Sequence, residues 1–289
     1  MCWEVNCVDW CLVNGEWRSS RIRYHALCML RPEWPAAEFS LAQNTVGMPM
    51  RFLEAALMPR RCVFCGVLAC AGERYICQAC YRDLPWIANS CEFCATPVSV
   101  VLPRDVPCAS CQFETRLLTS AVAPLHYSFP LDSAIKALKF HRKLYYQPAF
   151  SDILLSAAAR LPDDIDALLP VPLHRWRRIR RGFNQAEEIA GPLLSRTQLP
   201  EVRNVERVMS TRYQSGLSAA ERRRNLKAAF CVRGSVAAKH VLIVDDVITT
   251  GETCRQLAYV LLKNGVEKVS VLALARAARD LEQRAPARD

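Results

Sequence analysis

Four closely spaced pairs of cysteines constrain the fold of this chain more than any other feature. Eight of its 15 cysteines form Cys-x-x-Cys pairs within one short segment. The pairs are Cys62 and Cys65, Cys77 and Cys80, Cys91 and Cys94, and Cys108 and Cys111. Two thiolates separated by two residues converge on one ion, and two such pairs complete a tetrahedral four-cysteine zinc site. Sequential pairing gives two sites, while crossed pairing stays open. We expect one or two structural Zn2+ ions, because so small a segment cannot fold on apolar burial alone.

Other roles for these cysteines fit the pattern less well. Disulfide frameworks belong to small secreted proteins, and a redox Cys-x-x-Cys motif does not explain four repeats. The N-terminus has no apolar segment followed by a small-residue cleavage site, and no run of about 18 apolar residues predicts a membrane span. We therefore expect a cytoplasmic protein without a membrane span.

Beyond the cysteines, apolar segments alternate between helix and strand patterns. We predict helices at 132–144, capped by Asp132 or Ser133, and at 183–195, and a strand at 168–173. A strand at 240–244, a helix at 252–263 and a strand at 266–275 follow, with Gly265 at the end of the last helix. This order predicts an α/β fold with a parallel sheet covered by helices on both faces. Ligand sites in such sheets lie at the carboxyl ends of the strands.

Residues 241–253, VLIVDDVITTGET, place polar side chains at that edge of the sheet. We interpret Asp245 and Asp246 as acceptors for ribose hydroxyls and as holders of the waters of a bound Mg2+. A turn into the next helix follows, and its N–H groups and hydroxyls converge on one point that suits a 5′-phosphate. The turn consists of Thr249, Thr250, Gly251, Glu252 and Thr253. The sequence lacks P-loop and Rossmann motifs, and a receiver-like acid pair gives no reason for the turn, so a simple helix cap is the remaining alternative.

This loop resembles the phosphoribosyl pyrophosphate signature of type I phosphoribosyltransferases, and the chain as a whole resembles the ComF/GntX family. Three further segments carry the resemblance: LLPVPLHRWRRIRRGFNQAEEIA at 168–190, STRYQSGLSAAERRRNLKAAF at 210–230 and AIKALKFHRK at 134–143. The family pattern is a cysteine-rich zinc ribbon followed by a type I phosphoribosyltransferase-like domain. The resemblance implies binding of phosphoribosyl pyrophosphate with Mg2+, in a protein of DNA uptake and utilisation (competence).

The resemblance also assigns roles to residues outside the loop. Val171, Pro172 and Leu173 fall where this fold leaves a strand to meet pyrophosphate. Five arginines follow within seven residues, namely Arg175, Arg177, Arg178, Arg180 and Arg181. Guanidinium groups suit pyrophosphate oxygens, and they suit the backbone of single-stranded DNA equally well. The chain's net charge of +10 favours either partner, and a solvated basic surface is the alternative.

A second segment resembles the loop that closes over the active site in related transferases and excludes water from the reacting centre. Its candidate residues are Thr211, Gln214, Arg222 and Asn225. Alternatively, a basic surface helix begins with Arg222, Arg223 and Arg224. The lone histidines His174 and His240 are interpreted as structural residues, or as residues that support a binding group, rather than as ligands.

The chain is expected to contain four regions. Residues 1–47 have no periodic pattern, so we expect them to be disordered or to precede a true start at Met48 or Met50. A double zinc ribbon at 58–115 and a phosphoribosyltransferase-like domain at 120–278 follow, and 279–289 form a polar tail. The polar residues from Arg276 onward have little to bury, so we expect them to fray.

Two hypotheses for function follow. In the first, the chain binds phosphoribosyl pyrophosphate or a ribose phosphate and is a phosphoribosyltransferase of the glycosyltransferase class, with catalysis left open. In the second, it is a non-catalytic module that binds single-stranded DNA or a helicase-like competence protein. The transferase fold would then serve phosphate binding alone.

Overall fold

The computed structural model describes residues 9–13, 16–20, 61–68, 75–103, 105–113, 116–208 and 229–277. The chain divides into two compact units, 1–50 and 51–289. In the first unit, strands β1 (Asp9–Val13) and β2 (Glu16–Ser20) form an antiparallel hairpin. The expected domain boundaries and the expected start of translation stay predictions.

The cysteine pairs of the second unit lie on two kinds of backbone turn. In the pairs that begin at Cys62 and Cys91, the chain folds back as a tight hairpin, with Cys62 N–H donating to Val67 O at 2.8 Å and Cys91 N–H to Thr96 O at 2.9 Å. The other two pairs open short helices, because Cys77 is the N-cap of α1 (Gln78–Arg82) and Cys108 is the N-cap of α2 (Ala109–Gln112). Each ribbon therefore combines one hairpin turn with one helical turn.

A parallel sheet forms the centre of the second unit. Its strands are β3 (Ser120–Val122), β4 (Leu125–His126), β5 (Ala167–Pro170), β8 (His240–Ile248) and β9 (Lys268–Arg276). The order across the sheet is β3, β9, β8, β5, and β4 also pairs with β9. The two longest strands are the central ones, and they are buried along almost their whole length, as expected for strands covered on both sides.

Helices cover both faces of this sheet. The helices are α3 (Leu131–His141), α4 (Gln147–Ala158), α5 (Arg175–Arg181), α6 (Gln185–Thr197) and α7 (Glu252–Lys263), and a 3-10 turn spans Leu144–Tyr146. Leu242 of β8 faces one core with Ile135 and Ile189, whereas the adjacent Ile243 faces the other core with Leu257, because successive strand residues point to opposite faces. The predicted α/β fold with helices on both faces is confirmed.

Two further elements complete this unit. Strands β6 (Val205–Arg207) and β7 (Phe230–Val232) form an antiparallel pair next to α7, and Phe230 is buried in the same core as Leu257. Phe64 of the first ribbon packs against the opposite core, whereas Ala95 of the second ribbon is buried in the same core as Leu257. No helix in the described part of the chain is long and apolar enough to cross a membrane.

Several predicted boundaries differ from the structure. The helix predicted to be capped by Asp132 or Ser133 begins at Leu131 after Pro130, without a side-chain cap, and Asp132 pairs instead with Lys136 at 2.7 Å.

The strand predicted at 168–173 ends at Pro170, because neither Pro170 nor Pro172 has an N–H to donate to a ladder. The strand predicted at 240–244 continues to Ile248, since its backbone stays paired with β9. Helix α7 has its predicted bounds, and Gly265 follows it with a φ of +91°.

Candidate functional site

The two acids of the loop lie within strand β8, close to its carboxyl end. Asp245 pairs in register with Ala273 of β9, and the ladder resumes at Val247 and Ala275. Because neighbouring strand residues face opposite sides, Asp246 points toward the layer of α3 and α6 and Asp245 toward the layer of α7. The strand thus presents one carboxylate on each side of the sheet edge.

Asp246 is almost fully buried and faces Lys139 of helix α3. The distance from Lys139 Nζ to Asp246 Oδ2 is 2.5 Å, and the side chains are 18% and 6% exposed. Burying one charge without a partner is costly, so each of these groups stabilises the other. The pair connects the helical layer to the strand that carries the acids.

Asp245 lies in a different electrostatic environment. Burial raises the pKa of Asp245 well above its usual range, and the negative charge of Asp246 raises it further. The Asp246 N–H, which donates to Asp245 Oδ1 at 2.8 Å, and the charge of Lys139 oppose this rise. Asp245 therefore binds a proton more readily than an ordinary aspartate, and a cation or hydroxyl donor placed here would stabilise its charged form.

The turn after β8 brings backbone N–H groups together beside these acids. Gly251 has a φ of +81° and is the N-cap of α7, a conformation that glycine adopts with little strain. Glu252 N–H donates to Thr250 Oγ1 at 3.3 Å. The first-turn N–H groups of a helix have no partner within the helix, so those of α7 are directed at the turn. This geometry suits an anionic group such as a phosphate.

The exit of strand β5 lies beside the acids. Pro170 pairs in register with Val244, and Val171 N–H donates to Val244 O at 2.9 Å. Asn184, which is buried, caps helix α6 and donates through Nδ2 to Val171 O at 3.0 Å. Asn184 therefore fixes the exit segment of Val171, Pro172 and Leu173 next to the carboxyl end of β8.

The cysteines form two compact clusters, and each fits a four-thiolate metal site. One cluster contains Cys62, Cys65, Cys77 and Cys80, and the other contains Cys91, Cys94, Cys108 and Cys111. Within each cluster the four sulfur atoms lie within 4.8 Å of one another, which suits tetrahedral zinc. Sequential pairing is therefore the arrangement in the structure, and crossed pairing is wrong. We call the clusters zinc site 1 and zinc site 2.

Comparisons with known proteins agree with this organisation. Residues 53–112 match the double zinc ribbon domain, and residues 180–288 match the phosphoribosyl transferase domain. The DNA utilization protein YhgH of Escherichia coli K12 is 34% identical over 76% of this chain and 98% of its own length. Competence protein F of Haemophilus influenzae is 32% identical over 75% of this chain and 97% of its own.

The chain belongs to the ComF family. Competence protein ComFC of Bacillus subtilis is a more distant relative, 26% identical over 71% of this chain and 85% of its own length. The predicted combination of a double zinc ribbon with a phosphoribosyltransferase domain is confirmed for this ComF-family chain.

The arginines after the strand exit of this ComF-family chain fall into two groups. Arg178 pairs with Glu187 at 2.9 Å, and Arg181 donates to Gln185 at 3.1 Å and lies over the ring of Phe140. Burial lowers the pKa of Arg181, whereas the charge of Asp246 raises it. The other three are exposed, and within the described residues they make no ion pair: Arg175, Arg177 and Arg180.

Sequence reasoning did not single out three basic residues that the structure brings to this region. Lys139 lies next to Leu138 on the buried face of α3, where it pairs with Asp246. A lysine among the apolar residues of a helix was the sequence signal that could have identified it. Arg207 of β6 lies over the Phe230 ring, and its pKa is lowered by burial and raised by the charge of Asp245. Arg276, expected to fray with the tail, is instead the buried last residue of β9, because its guanidinium finds carbonyl acceptors.

The remaining predicted residues have different outcomes. The candidate closing-loop residues Thr211, Gln214, Arg222 and Asn225 lie outside the described residues. His174 is the N-cap of α5, and His240 is buried between Asp164 and Ser270, at 2.8 Å from each. Both histidines therefore have structural roles, as expected, and His240 lies at the amino end of β8, away from the acids.

Proposed function

We propose that this ComF-family chain binds phosphoribosyl pyrophosphate or a ribose phosphate, with Mg2+, at the carboxyl end of strand β8, and acts in DNA uptake or utilisation. One observation carries the proposal. Asp246, which is buried and paired with Lys139, and the half-buried Asp245 lie directly before a turn that directs helix N–H groups at one point. Carboxylates suit the ribose hydroxyls and the turn suits a phosphate, so adjacent parts of one ligand match adjacent parts of the site.

Each part of the site has a proposed role. Asp245 and Asp246 accept the ribose hydroxyls and hold waters of Mg2+, which when bound would neutralise the pyrophosphate oxygens. The backbone of the turn from Thr249 to Thr253 holds the 5′-phosphate. The segment of Val171, Pro172 and Leu173 receives the pyrophosphate, with Arg175 and Arg181 nearby to offset its charge.

Two features of the described residues would favour this binding. Lys139 keeps Asp246 in place, so that little reorganisation accompanies binding. The raised pKa of Asp245 means that its surroundings stabilise its charge poorly, and a bound cation would relieve that penalty. Any transfer reaction here would break the bond between C1′ and the pyrophosphate oxygen, which leaves with the electron pair, while an acceptor atom bonds to C1′.

The test is calorimetric titration with phosphoribosyl pyrophosphate and Mg2+. We expect the Asp245→Asn and Asp246→Asn double variant to lose binding, because amides neither hold the metal waters nor accept from hydroxyls as strongly. Asp163→Asn is the control, since Asp163 is an exposed acid in the loop before β5 at the opposite end of the sheet. Equal affinity of the double variant and the wild type would refute the assignment of the acid pair.

A second function, binding of single-stranded DNA, is favoured by the surface of helix α5. Trp176 is 73% exposed and Ile179 is 62% exposed, among the exposed Arg175, Arg177 and Arg180. Exposed aromatic rings stack on bases while arginines follow the phosphate backbone, which is the usual chemistry of single-strand binding. The names of the relatives, which refer to competence and DNA utilization, agree with such a partner.

The two functions can be separated by matched variants. Replacing Arg177 and Arg180 with Ala should weaken DNA binding and reduce its dependence on salt, since fewer counterions are released. Trp176→Ala should weaken DNA binding without reducing the salt dependence. The Asp245→Asn and Asp246→Asn variant should keep DNA binding. Unchanged DNA affinity in both the arginine and the Trp176 variants would remove α5 from consideration as a DNA surface.

A further inference from the structure

The last residue of strand β9, Arg276, connects zinc site 2 to the turn proposed to hold the phosphate. Its side chain is 1% exposed, which is rare for an arginine and requires polar partners for the guanidinium. Those partners come from two different parts of the fold. The buried guanidinium therefore links two segments that are distant in the sequence.

On the ribbon side, Arg276 binds the hairpin turn of zinc site 2. Its Nε donates to the carbonyl oxygen of Cys94 at 3.1 Å, and its Nη2 donates to Thr96 Oγ1 at 3.0 Å. The Cys94 thiol donates to the same Thr96 hydroxyl at 3.2 Å. A metal ligand and the guanidinium therefore share one partner.

On the other side, Arg276 binds the end of strand β8. Its Nη1 donates to Ile248 O at 2.9 Å and also contacts Thr249 O. Ile248 is the last residue of the strand and Thr249 begins the turn. Because the guanidinium is a rigid planar fork, displacement of the ribbon turn would be transmitted to these two carbonyl groups.

The backbone between Cys94 and Thr96 depends on its surroundings for its shape. Ala95 has a φ of +56°, the left-handed conformation that residues other than glycine rarely adopt, and its side chain is fully buried. Hydrogen bonds from Cys91 N–H to Thr96 O and from Ala95 N–H to Cys91 O, both 2.9 Å, close this turn. The chemistry of the four thiols fits zinc, and in such small modules metal binding supplies much of the folding free energy.

We propose that Arg276 is a positioning residue through which zinc site 2 holds the phosphate turn, so that the metal state of this site alone controls ribose phosphate binding. The proposal rests on the proposed function for its ligand. Zinc site 1 provides the contrast, because its ribbon packs through Phe64 against Tyr146, with ring centroids 5.8 Å apart, in the core opposite to Ala95. Loss of zinc there should leave the turn unchanged.

The test compares two matched double variants of the full chain. Cys108→Ser with Cys111→Ser removes the helical turn of zinc site 2, and Cys77→Ser with Cys80→Ser removes the corresponding turn of zinc site 1. Neither variant changes an atom that binds Arg276. Zinc per chain is measured by elemental analysis, amide hydrogen exchange is followed in residues 245–255, and the affinity for phosphoribosyl pyrophosphate with Mg2+ is measured by calorimetry.

We expect faster exchange in residues 245–255 and an affinity lower by about tenfold or more in the site 2 variant, as for the loss of hydrogen bonds to a charged group. The site 1 variant should match the wild type in both. Arg276→Lys should retain zinc at both sites yet show faster exchange in residues 245–255. A single ammonium group cannot make the hydrogen bonds that the planar guanidinium makes to both segments. Since the zinc content and the exchange of the remaining strands report folding, a misfolded cysteine variant is recognised. Unchanged exchange in residues 245–255 of the Arg276→Lys variant would in that case overturn the inference.

Two further results would overturn the inference: unchanged exchange in residues 245–255 after loss of zinc at site 2, or equal acceleration after loss at either site. Failure of the proposed function is distinguishable, because wild-type protein would then give no heat with the ligand. The exchange measurement would still decide the role of Arg276 in that event.

Discussion

Lys139 Nζ lies 2.5 Å from Asp246 Oδ2, and this contact joins helix α3 to the carboxyl end of strand β8. Lys139 precedes Asp246 by 107 positions in the sequence. The pair therefore makes the geometry of the proposed site depend on the packing of a distant helix.

Replacing Lys139 with Met should lower the free energy of unfolding by about 3 kcal/mol, because a buried carboxylate would lose its counter-charge. Urea denaturation measures the change. Lys136→Met is the matched control, since Lys136 lies on the same helix and pairs with Asp132 at 2.7 Å on the exposed side. The control should change stability little. Equal effects of the two substitutions would contradict the structural importance assigned to the buried pair.

The stability of the protein should depend on the ionisation of Asp245. Its pKa is raised in the folded state, so the folded protein binds more protons than the unfolded chain above the usual pKa of an aspartate. The free energy of unfolding should therefore fall as the pH rises from the usual aspartate pKa to the raised pKa of Asp245 in the folded protein. Asp245→Asn should accordingly be more stable than the wild type at neutral pH. Denaturation curves across a range of pH should show this advantage vanish as the pH falls to the usual aspartate range. An Asp245→Asn variant less stable than the wild type at neutral pH would contradict a raised pKa of Asp245 in the folded protein.

Gly251→Ala should destabilise the protein by about 1 kcal/mol, through backbone strain at positive φ. A Cβ at this position would meet only Ile248 Cγ2, at 3.8 Å, so steric clash does not contribute. The control is Gly191→Ala within α6, where a Cβ also has open space and the backbone is helical. That substitution should instead raise stability, and thermal denaturation of both variants should show opposite signs. A shift of the same sign in both would argue against strain at the turn.

The features that the sequence predicted correctly depend on local spacing. Two cysteines separated by two residues can direct their sulfur atoms at one ion from either a hairpin turn or a helical turn, so the clusters follow from their positions. Helix α7 likewise has an apolar stripe that begins directly after Gly251 and ends before Gly265. In both cases the deciding residues are close together in the chain.

The errors and omissions involve contacts between distant segments. Strand β8 was predicted too short because Asp245 and Asp246 are polar, yet pairing with β9 continues past them. Lys139 and Arg276 have acceptors that are distant in the sequence, and nothing near them indicates those partners. Arg276 is the clearest example of such an error, because the polar segment that it begins in the sequence suggested a solvated tail.

The most direct test of the central claim is calorimetric titration of the wild-type protein with phosphoribosyl pyrophosphate, in the presence and absence of Mg2+. The proposed site predicts saturable heat at one site per chain, stronger with Mg2+ because the metal relieves the repulsion between the acids and the pyrophosphate. Absence of binding heat under both conditions and at more than one temperature would contradict the assignment of residues 241–253 as a ribose phosphate site.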